Sequence, residues 1–134
     1  MSEENIELAR RALDALRRGD SDGAARCFHP DAEWHNTPAF PGQRIVIGPE
    51  AIIDFSKDLW ASFTADGARG EVERVRTMGD CVVLGVHSQG RGKGSCVPVD
   101  VHWAITLTVR DGKIARADVR GDYAKALEAA GIEE

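Results

Sequence analysis

Between Val97 and Val109 the chain alternates in a way that only an extended strand can use. Val99, Val101, Trp103, Ile105, Leu107 and Val109 fall on one face, and Pro98, Asp100, His102, Ala104, Thr106 and Thr108 on the other. Strand side chains alternate faces, whereas helical ones return to the same face every ~3.6 residues, so the stretch must lie in a sheet with one face packed. Asp111-Gly112 follows at once, a strong tight-hairpin signal, and leads into a further strand over Ile114 to Arg120. Upstream, Gly79-Asp80 turns the chain into Cys81–His87, which ends in the glycine-rich Gly90-Arg91-Gly92-Lys93-Gly94-Ser95. Everything from Arg69 to Val119 therefore reads as antiparallel strands.

The N-terminal half reads differently. Ile6, Ala9, Leu13 and Leu16 recur at helical spacing over residues 3–18, with Gly19 as the stop. Asp20-Ser21 caps a short second helix through Ala24, Ala25 and Phe28 that ends at His29-Pro30. A strand follows over Glu33 to Thr37, then a loop, Pro38-Ala39-Phe40-Pro41-Gly42, and a short strand over Arg44 to Ile47. Gly48-Pro49-Glu50 opens a third helix with Ile52, Ile53, Phe55, Leu59, Trp60 and Phe63 on a broad apolar face. A closing helix spans Tyr123 to Ala130, with Gly131 at its end. Helices first and antiparallel strands after define an α+β fold: a strongly curved, mainly antiparallel sheet wrapped around the N-terminal helices, leaving a conical cavity between them.

At 134 residues the chain is expected to be one domain, residues 1–134. A net charge of -5 without a basic stripe argues against nucleic acid, and no apolar run reaches membrane-span length. From its acidic, polar start, Met-Ser-Glu-Glu-Asn, no secretory signal is expected. Cys27, Cys81 and Cys96 are too few and too scattered for a disulfide framework or a zinc site, which points to free thiols in a cytoplasmic setting. The four histidines are dispersed, so neither a metal nor a cofactor is expected. The run around Gly92-Lys93 is no phosphate loop, because Gly94 stands where Ser or Thr is needed and the run joins two strands.

The chemistry-bearing candidates lie on the strands. Trp34 and Asn36 share a face, so a buried Trp34 brings an amide into an apolar wall, where it needs a partner such as a ligand oxygen or water. His87 and Gln89 share a face of their strand; a cavity-facing His87 serves as acid or base, whereas a rim position leaves it to water or a cross-strand neighbour. Asp118 is either an apolar-walled acid or the ion-pair partner of Arg116 or Arg120. His102 points to the outer sheet face, the expected dimer surface, if the Trp103 face packs on the helices; a bulge would turn it inward, which keeps it among the ligand-binding candidates. Trp60, Phe63 and Trp103 are core or pocket lining.

Three stretches carry a resemblance: Glu4 to Trp34 with Gly19-Asp20 and Pro30-Asp31-Ala32-Glu33-Trp34; Ile47-Gly48-Pro49-Glu50-Ala51-Ile52; and Arg110-Asp111-Gly112-Lys113-Ile114 running to Ala126-Leu127-Glu128-Ala129-Ala130-Gly131. The chain resembles the SnoaL-like group of the nuclear-transport-factor-2-like superfamily, α+β cone proteins of the cystatin-like shape. The resemblance implies a homodimer paired through its sheets and a small, largely apolar organic molecule in the cone. Within the superfamily, Trp34-His35-Asn36-Thr37-Pro38 looks most like the limonene epoxide hydrolases, where an aromatic residue and an Asn two places on help hold the attacking water. His87 and Gln89 stand where that group has an Arg and an Asp, so its Asp-Arg-Asp set is not intact, and its last-strand Asp falls near Asp118 or Val119. The expected activity is cofactor-free proton transfer (isomerisation, aldol-type cyclisation or water addition). His87 or Asp118 would act as acid or base, with Asn36 and Gln89 polarising an oxygen and Trp34 packing on the ligand. The alternatives are a protein that only binds, and a structural dimer module.

Overall fold

In a computed structural model, residues 2–36, 45–61, 69–91 and 98–131 are described. Helix α1 (Ser2–Arg18) buries Leu8, Ala9, Ala12, Ala15 and Leu16, with Ile6 and Leu13 half-covered at the margins. The buried seam thus lies to one side of the stripe expected from Ile6 and Leu13, because alanines let the helix sit close to its neighbours. Glu3 and Glu4 at its start and Arg17 and Arg18 at its end complement the helix dipole. Gly19, at φ +72°, ends it. Asp20 then caps α2 (Ser21–Cys27), its carboxylate accepting from the Gly23 N–H at 3.0 Å.

The helix expected to run through Phe28 stops at Cys27, and strand β1 (Phe28–His35) begins at once, with Pro30 inside it. The reason is the pairing partner. β1 runs parallel to the last strand, and their register shifts between Phe28 and Glu33, so a residue without an N–H sits where the ladder is interrupted. Strand β2 (Ile45–Ile47) pairs antiparallel with the other edge of β1. Arg44 and the loop from Pro38 to Gly42 lie outside the described residues. Helix α3 (Pro49–Ala61) starts with Pro49 and buries Ile52, Ile53 and Ser56, the Ser56 hydroxyl donating to the Leu16 carbonyl at 3.4 Å.

Strands β3 (Arg69–Met78), β4 (Cys81–Arg91), β5 (Pro98–Arg110) and β6 (Lys113–Arg120) complete a six-stranded sheet of order β2-β1-β6-β5-β4-β3. Every neighbouring pair but β1–β6 is antiparallel. Asp111 at φ 52° and Gly112 at φ 77° form the expected two-residue turn. β4 runs on to Arg91, taking the start of the glycine-rich stretch into the sheet, while residues 92–97 lie outside the described residues.

The two faces of the sheet are sorted by alternation. Val82, Leu84 and Val86 of β4, Ile105, Leu107 and Val109 of β5, and Ala117 and Val119 of β6 pack with helices α1 to α3; this is the concave face. Val83 and Ala104 point the other way and are covered by Ala126 and Leu127 of α4 (Tyr123–Ala129). Helices therefore cover both faces, not only the one expected. Gly85 makes room for this: a Cβ there would lie 2.9 Å from the Tyr123 ring. Among the described residues, no helix is long and apolar enough to cross a membrane.

Candidate functional site

Trp34 and Asn36 stand on the concave face at the end of β1, 7% and 8% exposed. The indole Nε1–H donates to Asn36 Oδ1 at 2.7 Å. One hydrogen bond thus satisfies the indole and fixes the amide with its N–H end turned away from the ring. Farther along the same face, half-buried Trp103 donates from Nε1 to the Ser88 hydroxyl at 2.9 Å. Among the described residues, the strand positions on this face carry no histidine and no carboxylate. Its polar equipment consists of neutral donors.

The titratable candidates stand behind the sheet. Val86 faces the helices, so His87, one residue on, faces away from them, and Gln89 with it. His87 pairs directly with His102 across β4 and β5, the rings stacked at 4.2 Å with planes 9° apart. The register shift of β3 between Val72 and Arg74 leaves Glu73 without an opposite number in the ladder, and its carboxylate reaches both rings. Oε1 lies 3.6 Å from His87 Nδ1 and Oε2 lies 3.0 Å from His102 Nδ1. Asp100 Oδ1 is 2.5 Å from His87 Nε2, and Gln89 donates to Asp100 Oδ2 at 3.4 Å. The hydrogen bonds from His87 first, and from Gln89, hold the Asp100 carboxyl below the usual carboxylate range.

Asp118 shares that convex face, opposite His35 and Thr106. Arg116 grips its carboxylate with Nε at 3.0 Å and Nη2 at 3.0 Å, which pushes the guanidinium above its ordinary value. Asp118 is therefore an ion-paired carboxylate and not an apolar-walled acid. The convergence of Asn36 with His87, Gln89 and Asp118 does not occur, since strand parity sends the last three through to the other side. His102, a ligand-binding candidate, lies on the outer face beside His87 and not in the pocket. Trp60 lies on α3 with its side chain outside the described residues, as is Phe63 altogether. Cys27 is buried in the core, and burial pushes its thiol up, away from the thiolate form; Cys96 lies outside the described residues.

Glu73, Asp100 and Ser88 were not singled out by the sequence. One signal was available for Asp100: any antiparallel register that sets His87 opposite His102 also sets Gln89 opposite Asp100. A separate open cleft of about 590 Å³ runs between α2, α3 and the start of β1, touching Phe28, Ile53, Asp54 and Lys113; none of the candidate residues lines it.

Residues 9–117 match the sequence model of the SnoaL-like domain. The chain belongs to the SnoaL-like family. No functionally curated protein matches it in sequence. Among solved structures, a Jannaschia protein named for likeness to the SnoaL polyketide cyclases is 22% identical with a TM-score of 0.77, over 98% of this chain and 94% of that one. TerC, co-crystallised with polyporic acid, is 22% identical with a TM-score of 0.75, over 93% and 96%. A Catenulispora acidiphila protein of ketosteroid-isomerase-like fold, in complex with trimethylamine, is 17% identical with a TM-score of 0.73, over 95% and 94%. Likeness at these identities establishes the fold: this SnoaL-like chain has the α+β cone expected of it.

Proposed function

We propose that this SnoaL-like chain is a small-molecule pocket protein, which takes a small, largely apolar organic molecule into the concave side of its sheet with a polar end at Asn36. The observation that carries this reading is the buried Trp34–Asn36 bond. It holds an amide donor group at a set angle in a wall otherwise made of Ala32, Val46, Ala117 and Val119. A wall of this kind favours an apolar guest and a few placed polar groups orient it. The chemistry available here without a cofactor is polarisation of a ligand carbonyl by the Asn36 N–H; an α-proton would have to pass to water or to a base on the ligand itself, since the described strand positions on this face carry none. His87 and Asp118 take no part in it, because they stand on the far face. The neighbours' complexes with polyporic acid and with trimethylamine are in keeping with small guests in this fold. The working unit in this reading is a homodimer.

Thermal-shift titrations with hydrophobic ketones, lactones and epoxides, followed by product analysis of every hit, test the proposal. At least one ketone is expected to raise Tm; Asn36→Leu is expected to abolish the shift, and His87→Ala to leave it unchanged. A shift that survives Asn36→Leu, or a panel with no hit, would overturn the reading.

A further inference from the structure

The cluster behind the sheet has no part in that pocket, yet it is built from the right atoms for another purpose. Glu73, His87 and His102 come from three adjacent strands, β3, β4 and β5, whose spacing of about 4.8 Å is set by backbone hydrogen bonds. Each offers one ligand atom, and the three atoms lie within 4.8 Å of one another. A tetrahedral ion with metal–nitrogen bonds near 2.0–2.1 Å holds its donors about 3.3 Å apart. Glu73 meets the two imidazoles through different oxygens, Oε1 at 3.6 Å from His87 Nδ1 and Oε2 at 3.0 Å from His102 Nδ1, so its carboxylate stands between both rings and one oxygen must turn inward to share an ion with them. We infer that Glu73, His87 and His102 form a binding site for a divalent first-row transition ion, with Zn²⁺ its natural occupant, on the convex face of the sheet.

The tautomer of His87 fits the role. With Asp100 accepting from Nε2–H, the proton of the neutral ring is on Nε2, and Nδ1, which faces Glu73, keeps its lone pair for the ion. A carboxylate behind a histidine ligand is the usual means of orienting the ring and raising its basicity. Gln89 in turn holds the second oxygen of Asp100. Two imidazoles and one carboxylate in a tetrahedral arrangement suit Zn²⁺; Ni²⁺ and Cu²⁺ take the same donors but prefer square-planar or tetragonal sites, and Mg²⁺ and Ca²⁺ favour oxygen ligands. Two carboxylates, Glu73 and Asp100, flank the rings and bring negative charge that suits a dication. The rings now lie nearly parallel, so to aim both lone pairs at one ion they must fan apart about their side-chain torsions. The His102 side chain is 64% exposed and free to make that turn. Three protein ligands leave a fourth position for water.

The test uses the untagged full-length chain, stripped with chelator and titrated with ZnCl₂ by calorimetry, with Co²⁺ absorption as a second readout. One Zn²⁺ per chain is expected, with tetrahedral-type Co²⁺ bands in the visible. Glu73→Gln and His102→Ala change partly exposed side chains; circular dichroism checks their fold, and each is expected to weaken binding by tenfold or more. Asp100→Asn should preserve the stoichiometry but weaken binding about 10–100-fold, as expected for a carboxylate behind a ligand. His35→Ala, on the same face but paired with Glu33, should bind like the parent chain. Absence of saturable one-to-one binding would overturn the inference. So would equal affinity in the folded Glu73→Gln and His102→Ala chains, or loss of binding only with His35→Ala. None of these outcomes bears on the Asn36 pocket.

Discussion

Trp34 and Asn36 depend on each other, and the dependence can be measured. With Asn36→Leu the indole N–H loses its acceptor in a buried wall, and an orphaned buried donor costs about 1–3 kcal/mol. Trp34→Phe removes the donor and some packing, with a cost of similar size. The double variant removes both ends of the bond, so its cost should fall short of the sum of the singles by about 1 kcal/mol. Urea unfolding of the four chains measures this coupling, and strict additivity would mean that the bond does not organise the corner. That these two residues share a buried face was legible in the sequence, because alternation over a short strand is a local rule. That their first partners are each other was not, because at two residues' distance it depends on the side-chain rotamers and not on the pattern.

Strands and turns were legible where a local signal decides them, and misread where a distant partner does. Asp111-Gly112 needs only its own two residues to turn, and it does so. The end of α2 was misplaced because Phe28 continues a helical pattern locally, whereas its parallel pairing with Ile114 competes from far along the chain. The meeting of His87 with His102 depends in the same way on a register that no window of sequence contains. Helix α4 was foreseen as a helix but not on its side of the sheet, for that side is chosen by the groove at Gly85. A Cβ at Gly85 would sit 2.9 Å from Tyr123 Cδ1 and 3.3 Å from Arg74 Cβ. Gly85→Val is therefore expected to destabilise the chain by about 1–3 kcal/mol. It should also speed amide exchange in α4 more than in α1, and Tyr123→Ala in the same chain should recover part of the loss. Unchanged exchange in α4 would show that the helix does not depend on the groove.

For the molecule as a whole, helix α4, the inferred zinc site and the proposed dimer contact must share the convex face. α4 covers its middle over Val83 and Ala104, and the zinc site inferred above lies toward the β3 side. That leaves the β6–β1 side, with Arg116, Asp118, Thr108 and His35, for the sheet-to-sheet homodimer proposed here. The Arg116 side chain is half-exposed and already holds a carboxylate, which makes it the natural charge to reverse. Arg116→Glu would set a second acid beside Asp118 on both copies, and like charges brought together across an interface oppose association. Sedimentation should find the parent at twice the 14.5 kDa chain mass and Arg116→Glu shifted toward the single chain, with circular dichroism unchanged. A parent chain that sediments at the single mass at every concentration would refute the dimer. An Arg116→Glu chain that remains fully dimeric would move the interface elsewhere on the sheet. In either case the Trp34–Asn36 corner would be untouched, since it looks into the cone from the opposite side.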